Sequence, residues 1–340
     1  IFYAYTGSLL LTWLVSILTF FCAFFLKPLL KVWYYHRQGI PIENINPLKL
    51  DPNKWIREYP RIVRSYDRAY VAMRGTETAV TFFDPELIRQ VTTTKEPYFP
   101  KDRQGNFPPL ISIWLGYKNL SMMTRDEHRP LRRILNKSFG NDQMLAMLPM
   151  MEDSVNKTLK LWLKEIEEAD DKLKVKMNIK MSEMTLDIMA GALFGSGYDD
   201  LYDQHGNNLR HYFKDGMTIL IDTLINPWFN LFPSLVFDYD AIESGRKLRE
   251  NSRRMHYITG RLVERRVAQV KKDPSVLNHC DLLNYIIKSN LEYYNVEVAD
   301  IDSLIENKSI VGTSLSFLFA GYETTTHLLS WFWYAVDQYP

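Results

Sequence analysis

The heptapeptide AGYETTT, at residues 320–326, lies inside a long apolar stretch that runs from Ile310 to Val336. Within that stretch, Glu323 is the only residue that would normally carry a charge. A segment of this length and character predicts a helix that is buried on all sides. Burying a carboxyl group there is costly unless a partner or a reaction uses it. The heptapeptide therefore indicates a functional site on a buried helix.

The residues around Glu323 define what such a site can hold. Gly321 weakens the interior of a helix but lets another group approach the backbone closely. The Thr324 hydroxyl can donate to the carbonyl of Ala320, one turn back, and such a bond tends to bend a helix. This pattern favours a flat ligand that lies against the helix, beside a polar notch for proton transfer. Glu323 could instead simply pair with His327, four residues further on.

The pattern Ala-Gly-Xaa-Glu-Thr-Thr resembles the oxygen-binding motif of the cytochrome P450 family, the haem-thiolate monooxygenases. The resemblance implies that Ala320 and Gly321 face the haem. It also implies that Glu323 and Thr324 are catalytic and deliver protons during oxygen activation.

Other segments resemble the same family and occur in the same order. Residues 75–91 are similar to its first sheet segment and the following helix, and they predict a strand from Ala79 to Phe83. Residues 115–139 are similar to the segment through its helix C, where His128 and Arg132 match positions that hold a haem propionate. Residues 182–195 resemble its helix E. The resemblance thus covers most of the chain.

The chain departs from the family at the residue that defines it. Of the two cysteines, Cys22 lies in an apolar run and Cys280 lacks a glycine-rich loop, so neither matches the axial iron ligand. The chain also starts with Ile1 rather than methionine. We expect it to be a piece of a longer protein, with the axial cysteine beyond Pro340. As given, such a piece should be inactive.

The N-terminal part predicts a membrane anchor. Residues 1–26 contain no charged side chain, and the apolar run Leu9 to Leu26 reaches the roughly 18–20 residues that cross a bilayer. Basic residues follow it, which indicates a body facing the cytosol, as in family members of the endoplasmic reticulum. We expect residues 1–30 to be the single-pass anchor, 31–52 a proline-containing hinge and 53–340 an incomplete catalytic domain.

The remaining sequence predicts a mainly α fold with a small β-sheet region, similar to that of cytochrome P450. Lys plus Arg number 41 and Asp plus Glu 40, which gives a net charge of +1 and predicts no nucleic-acid partner. The expected helices are 125–139, 143–169, 177–194, 211–225, 242–272, 281–289 and 301–338.

The resemblance implies a monooxygenase that inserts one atom of dioxygen into an apolar organic substrate, with haem b as cofactor. No glycine pattern for a dinucleotide occurs, so electrons would come from a separate NADPH-dependent cytochrome P450 reductase, with cytochrome b5 as a further donor. Three alternatives stay open: a non-catalytic membrane-anchored helical protein that has lost haem, a protein in which residues 310–336 form a second membrane span, and an isomerase or dehydratase on the same fold.

Overall fold

A computed structural model of the chain describes residues 2–43, 60–74, 77–99, 107–123, 125–169, 174–195, 201–226, 229, 241–306 and 308–339. The chain divides into two compact units, of which one comprises Ile1–Lys101 and Ile221–Gly245 and the other Asp102–Leu220 and Arg246–Pro340. The fold is mainly helical with a small sheet, as the sequence predicts.

The first unit holds the N-terminal helices and the sheet. Its elements are α1 (Phe2–Phe21), a π-helical turn (Cys22–Leu26), α2 (Lys27–Arg37), β1 (Ala69–Arg74), β2 (Glu77–Phe82) and α3 (Pro85–Arg89). The two strands pair antiparallel, with Ala69 opposite Phe82. The side chain of Asp84 caps α3 by accepting a hydrogen bond from the Leu87 amide at 3.0 Å, which confirms the strand-to-helix boundary that the sequence predicts.

The structure does not support the predicted membrane anchor over residues 1–30. Residues 2–37 are helical throughout, as α1, the π-helical turn and α2 in succession. The side chains of residues 1–10 lie outside the described part of the chain. Among the described residues, no helix is both long and apolar enough to cross a bilayer. The alternative with a second span at residues 310–336 finds no support either.

The predicted hinge differs from the structure at its start. Residues 31–37 continue α2 as a helix. The chain becomes extended only after Gly39, where the Pro41 carbonyl accepts a hydrogen bond from the Val71 amide at 2.8 Å and Ile42 bridges Val71 in parallel. Residues 44–52 of the predicted hinge lie outside the described residues.

The remaining helices include the long ones that build the second unit. They are α4 (Phe107–Leu115), α5 (Arg125–Leu135), α6 (Asn141–Glu168), α7 (Met177–Phe194), α8 (Leu209–Ile225), α9 (Glu243–Lys272), α10 (Leu282–Tyr294), α11 (Asp302–Glu306) and α12 (Ser309–Gln338). Five of the predicted helices agree with α5 to α9 apart from their ends. The sequence missed α4 and predicted α10 too short. The sequence also predicted α11 and α12 as one helix. In the structure, Lys308 lies between them in a left-handed conformation with φ of 58°.

Helix α12 is buried over its first half and packs mainly along α7. Every residue from Ser309 to Leu315 is buried, as are Leu318, Tyr322 and Thr326. In contrast, every residue from Trp331 to Tyr339 is exposed. The expectation of a helix buried on all sides is therefore correct for the first half and wrong for the second.

Candidate active site

The predicted catalytic turn of α12 presents Ala320 and Thr324 on one face. The Thr324 hydroxyl donates to the Ala320 carbonyl at 2.6 Å, which confirms the predicted back-bond. Both residues are exposed. Leu328 and Trp331 continue the same face by helical spacing and are 69% and 66% exposed. This open face therefore combines apolar surface, one small side chain and a hydroxyl group.

Glu323 lies beside that face and is partly shielded, with 24% of its side chain exposed. Its carboxylate Oε1 is 3.7 Å from His327 Nδ1, whereas the same ring nitrogen lies only 2.8 Å from the Glu323 carbonyl oxygen. His327 is thus placed to donate to the backbone rather than to the carboxylate. The simple helix-surface ion pair is a weak explanation for Glu323.

Gly321 faces away from the open side of α12 and packs against α7. A Cβ atom at this position would lie 2.5 Å from the Met189 sulfur and 2.6 Å from its terminal methyl carbon. The sequence predicted that Gly321 lets a flat ligand approach the backbone. That role stays a prediction, and the structure adds that the missing side chain leaves room for the side chain of Met189 from α7.

The two predicted propionate-binding residues lie on α5, away from the turn of residues 320–324 in sequence. Arg132 is exposed and His128 is half-buried. Helix α10 contacts both α5 and α12. The 3₁₀ turn after α5 also reaches α12 directly, since the rings of Phe139 and Phe317 lie 5.5 Å apart. The described contacts do not include one between Arg132 or His128 and the catalytic turn.

A buried polar seam between α7 and α12 was missed from the sequence. Ser182 Oγ donates to the Tyr322 hydroxyl at 3.2 Å, and the hydroxyl oxygens of Thr185 and Thr326 lie 2.6 Å apart. Burial raises the pKa of Tyr322, and the neighbouring negative charge of Glu323 acts in the same direction. Hydroxyl residues spaced at three and four along two apolar helices were the available signal.

Both cysteines lie outside α12, the helix that carries this turn. Cys22 and Cys280 are both free and exposed. Cys22 lies in the π-helical turn after α1, and the Cys280 sulfur contacts the Gln143 carbonyl oxygen at 3.8 Å.

The family model described as Cytochrome P450 matches residues 45–340 of the chain. The chain belongs to the cytochrome P450 family. The match covers the turn of residues 320–324, α5, α7 and the strand pair, so the predicted membership of the family is confirmed.

Named relatives of this cytochrome P450 chain include proteins from plants and an animal. It is 27% identical to Cytochrome P450 709B1 of Arabidopsis thaliana over 80% of this chain and 49% of that protein. It is 23% identical to Secologanin synthase 2 of Catharanthus roseus, over 87% and 53% of the two chains. The identity to Cytochrome P450 3A9 of Rattus norvegicus is 23%, over 82% and 52%. The chain spans about half the length of these relatives.

The open face of α12 fits the haem that this family implies. A planar apolar macrocycle needs an apolar surface without a projecting side chain at its centre, and Ala320 and Leu328 provide one. The Thr324 hydroxyl adds one polar group at the same face. The residues present in this cytochrome P450 chain are therefore compatible with one side of a haem.

Proposed function

We propose that the protein is a haem-dependent monooxygenase that inserts one atom of dioxygen into an apolar organic substrate. The observation that carries the proposal is the exposed, mostly apolar face of α12 with the Thr324 hydroxyl held against the Ala320 carbonyl at 2.6 Å. Family membership over residues 45–340 supports it. A bound haem would supply the redox-active iron at which dioxygen is activated.

In this proposal, Ala320 leaves space for the haem at the open face, and the neighbouring Thr324 hydroxyl, whose own proton is donated to the Ala320 carbonyl, can accept a hydrogen bond from a proton-carrying group at the same turn. Glu323 holds the next proton, because its partly exposed carboxylate can reach both the site and solvent. Gly321 allows this turn to sit tightly on α7. Positioned proton transfer of this kind typically contributes about 10²–10⁴-fold to a rate.

Arg132 and His128 would bind a haem propionate. A guanidinium group can hold both oxygens of a carboxylate, and Arg132 is exposed and accessible for this role. The thiolate ligand of the iron would come from a cysteine beyond Pro340, since Cys22 and Cys280 are both placed elsewhere.

Electrons would come from a separate NADPH-dependent cytochrome P450 reductase, with cytochrome b5 as a further donor. The sequence supports this, because Gly191, Gly195 and Gly197 lack the spacing of a dinucleotide-binding turn. The exposed basic side chains of α5, among them Arg129 and Arg133, suit an acidic redox partner.

The proposal is tested with the product of the complete reading frame, purified with haem. Under ¹⁸O₂, with NADPH and the reductase, we expect one ¹⁸O atom in the oxidised product of an apolar test substrate and the other in water. A protein that binds no haem, or a product that carries no ¹⁸O, would contradict the proposal. The first result would favour the alternative of a protein that has lost haem, and the second an isomerase or dehydratase.

The propionate assignment has its own test in the same protein. Arg132→Ala should lower haem retention during dialysis against apomyoglobin, which traps released haem, because the propionate loses its cation. Arg133→Ala is the matched control, since Arg133 is an equally exposed neighbour on the same helix. Equal haem loss from the two variants, or none from Arg132→Ala, would show that Arg132 has no such role.

A further inference from the structure

A cavity lies in the second unit, next to the start of α12. It has a volume of about 450 Å³ and is lined by the end of α4 and the following loop, by one face of α9, and by Lys308. Cavities of roughly 300–1,000 Å³ are typical of sites for small organic ligands. The proposed role of Ala320 and Thr324 does not use this cavity.

The charged groups that line this cavity are all basic. Lys118 comes from the loop after α4, Arg249 and Arg253 from α9, and Lys308 from the residue before α12. No Asp or Glu is among the described residues that line it. Arg253 Nη1 lies 3.5 Å from Glu250 Oε2, and Lys118 and Arg249 also take part in other interactions. The net positive charge of the lining side chains still favours an anion inside the cavity.

His256 forms the inner wall of the cavity. Burial, reinforced by the positive charge of Lys308, lowers the pKa of His256 to about 4, although a hydrogen bond to the Leu115 carbonyl acts in the opposite direction. The ring lies close to Gly116, where an added Cβ would be 2.9 Å from its Cε1 atom. Gly116 also has a φ of 97°, which disfavours any side chain there. His256 is therefore a neutral ring held against a glycine, within reach of the positive charge of Lys308.

Apolar surface lies next to these charges. Ile113 and Tyr117 line the same cavity, and the Tyr117 side chain is 65% exposed. An exposed aromatic ring beside several cations is a suitable surface for the apolar body of a charged molecule.

We propose that this cavity binds a small organic oxyanion, such as a carboxylate, sulfonate or phosphate, with its charged group between Lys308, Arg253 and Lys118 and its apolar body against Tyr117 and Ile113. The site goes beyond the proposed monooxygenase activity and does not depend on it. It requires only the folded helical unit.

The test is calorimetric titration of the protein with two probes that keep their charge at every pH used, inorganic sulfate and hexane-1-sulfonate. We expect saturable binding of both, with hexane-1-sulfonate tighter because of its apolar chain. Lys308→Asn should weaken both about 5-fold, the effect of one partly screened charge, and Asn tolerates the left-handed backbone at this position. Arg253→Gln is a second, exposed variant with the same expectation.

Lys272→Asn is the matched control. Lys272 is an exposed residue in the last turn of the same helix α9, about 24 Å along the axis from His256 at 1.5 Å per residue. Absence of saturable binding, or equal weakening by Lys272→Asn and Lys308→Asn, would overturn the site. Equal affinity for the two probes would overturn the apolar part of the proposal.

A spectroscopic readout locates the binding. A bound anion stabilises the protonated ring of His256, so the pKa of His256, followed by its NMR signals, should rise above its value of about 4 when hexane-1-sulfonate is added. The charges that face the ring from each neighbouring element are Lys118, Lys308, Arg249 and Arg253. A pKa that is unchanged at saturation would place the probe elsewhere and overturn the assignment.

Discussion

The hydroxyl oxygens of Thr185 and Thr326 lie 2.6 Å apart in the buried contact between α7 and α12. The Thr185 hydroxyl also lies 2.9 Å from the Met181 carbonyl, to which it donates. Thr326 is therefore the donor between the two threonines. This bond fixes how α12, which carries the turn of residues 320–324, sits on α7.

Thr326→Val should lower the free energy of unfolding by about 1–3 kcal/mol, because it removes the donor while Thr185 stays buried. Chemical denaturation measures this change. Thr325→Val is the control, since Thr325 is adjacent and exposed. If the bond acts as a pair, the double variant with Thr185→Val should cost less than the sum of the two single ones. Strict additivity would show that the two hydroxyls do not interact.

Gly321→Ala should destabilise the protein by about 1–3 kcal/mol through overpacking, although alanine alone favours a helix by roughly 1 kcal/mol. The new Cβ would lie 2.5 Å from the Met189 sulfur. In a Met189→Ala background the same change should be less harmful. Gly260→Ala is the control, because nothing lies within 4 Å of a Cβ there, and it should stabilise α9. Equal effects of the two glycine changes would contradict the packing role.

A buried ion pair links α9 to the start of α10. Arg266 Nη1 lies 2.6 Å from Asp281 Oδ2, and the two side chains are only 12% and 8% exposed. Arg266 Nη2 also donates to the Phe194 carbonyl at 2.7 Å. Asp281→Asn should cost about 3–5 kcal/mol by leaving a buried cation unpaired.

The control for that prediction is Asp273→Asn. Asp281 also caps α10, by accepting from the Asn284 amide at 2.8 Å. Asp273 is an exposed aspartate that caps the 3₁₀ helix Pro274–Asn278 in the same way, by accepting from the Ser275 amide at 2.9 Å. Because asparagine caps about as well as aspartate, this change should be nearly neutral in thermal or chemical denaturation. If both substitutions cost the same, the charge on Asp281 would not be the stabilising feature.

The lowered pKa of Asp203 predicts that the folded protein loses stability in acid. Burial acts to raise its pKa, but hydrogen bonds from the Tyr212 hydroxyl and from the Asn207 and His205 amides lower the pKa to about 2. Since the folded pKa is below the unfolded value of 3.8, this stabilisation is present above pH 4. It is lost as the pH falls from about 4 to 2, by at most about 1.4 kcal/mol per pH unit.

Tyr212→Phe tests this prediction, because it removes the hydroxyl that lies 2.6 Å from Asp203 Oδ2. Urea denaturation at several pH values should show a smaller loss of stability between pH 4 and 2 in the variant than in the unmodified protein. An unchanged pH dependence would mean that Asp203 is not a source of the acid sensitivity.

Local patterns allowed much of the fold to be predicted from the sequence. The bounds of α7 were predicted correctly, since Met177 starts its apolar periodicity and Gly195, with φ of 64°, ends it. The separation of α11 from α12 was not predicted, because Lys308 takes a left-handed conformation without a glycine or proline to signal it. The predicted anchor rested on the length of the apolar run, on its lack of charge and on the basic residues after it, and the structure does not support it.

The candidate site was predictable only where one helix decides the geometry. The bond from Thr324 to Ala320 follows from a spacing of four residues. In contrast, the direction of Gly321 depends on where α7 lies, and no spacing within α12 reveals Met189. Thr185 and Thr326 are 141 positions apart, so their bond exists only once the two helices have packed.

Thr324→Ala should uncouple electron transfer from product formation in the haem-loaded product of the complete reading frame. The change removes the hydroxyl that donates to the Ala320 carbonyl, and the exposed position means that the fold should not suffer. We expect product formation to fall by about 10²-fold or more, within the range of about 10²–10⁴ that positioned proton transfer contributes, while hydrogen peroxide rises. NADPH consumed, peroxide and product are measured in parallel.

Two variants make this prediction specific. Thr324→Ser keeps the hydroxyl and should restore most of the coupling. Thr325→Ala removes a hydroxyl from the next residue, which is also exposed but points about 100° away around the helix, given 3.6 residues per turn, and it should leave coupling unchanged. If Thr324→Ala and Thr325→Ala give the same ratio of peroxide to product, the Thr324 hydroxyl has no part in proton delivery and its bond to Ala320 serves only the shape of the helix.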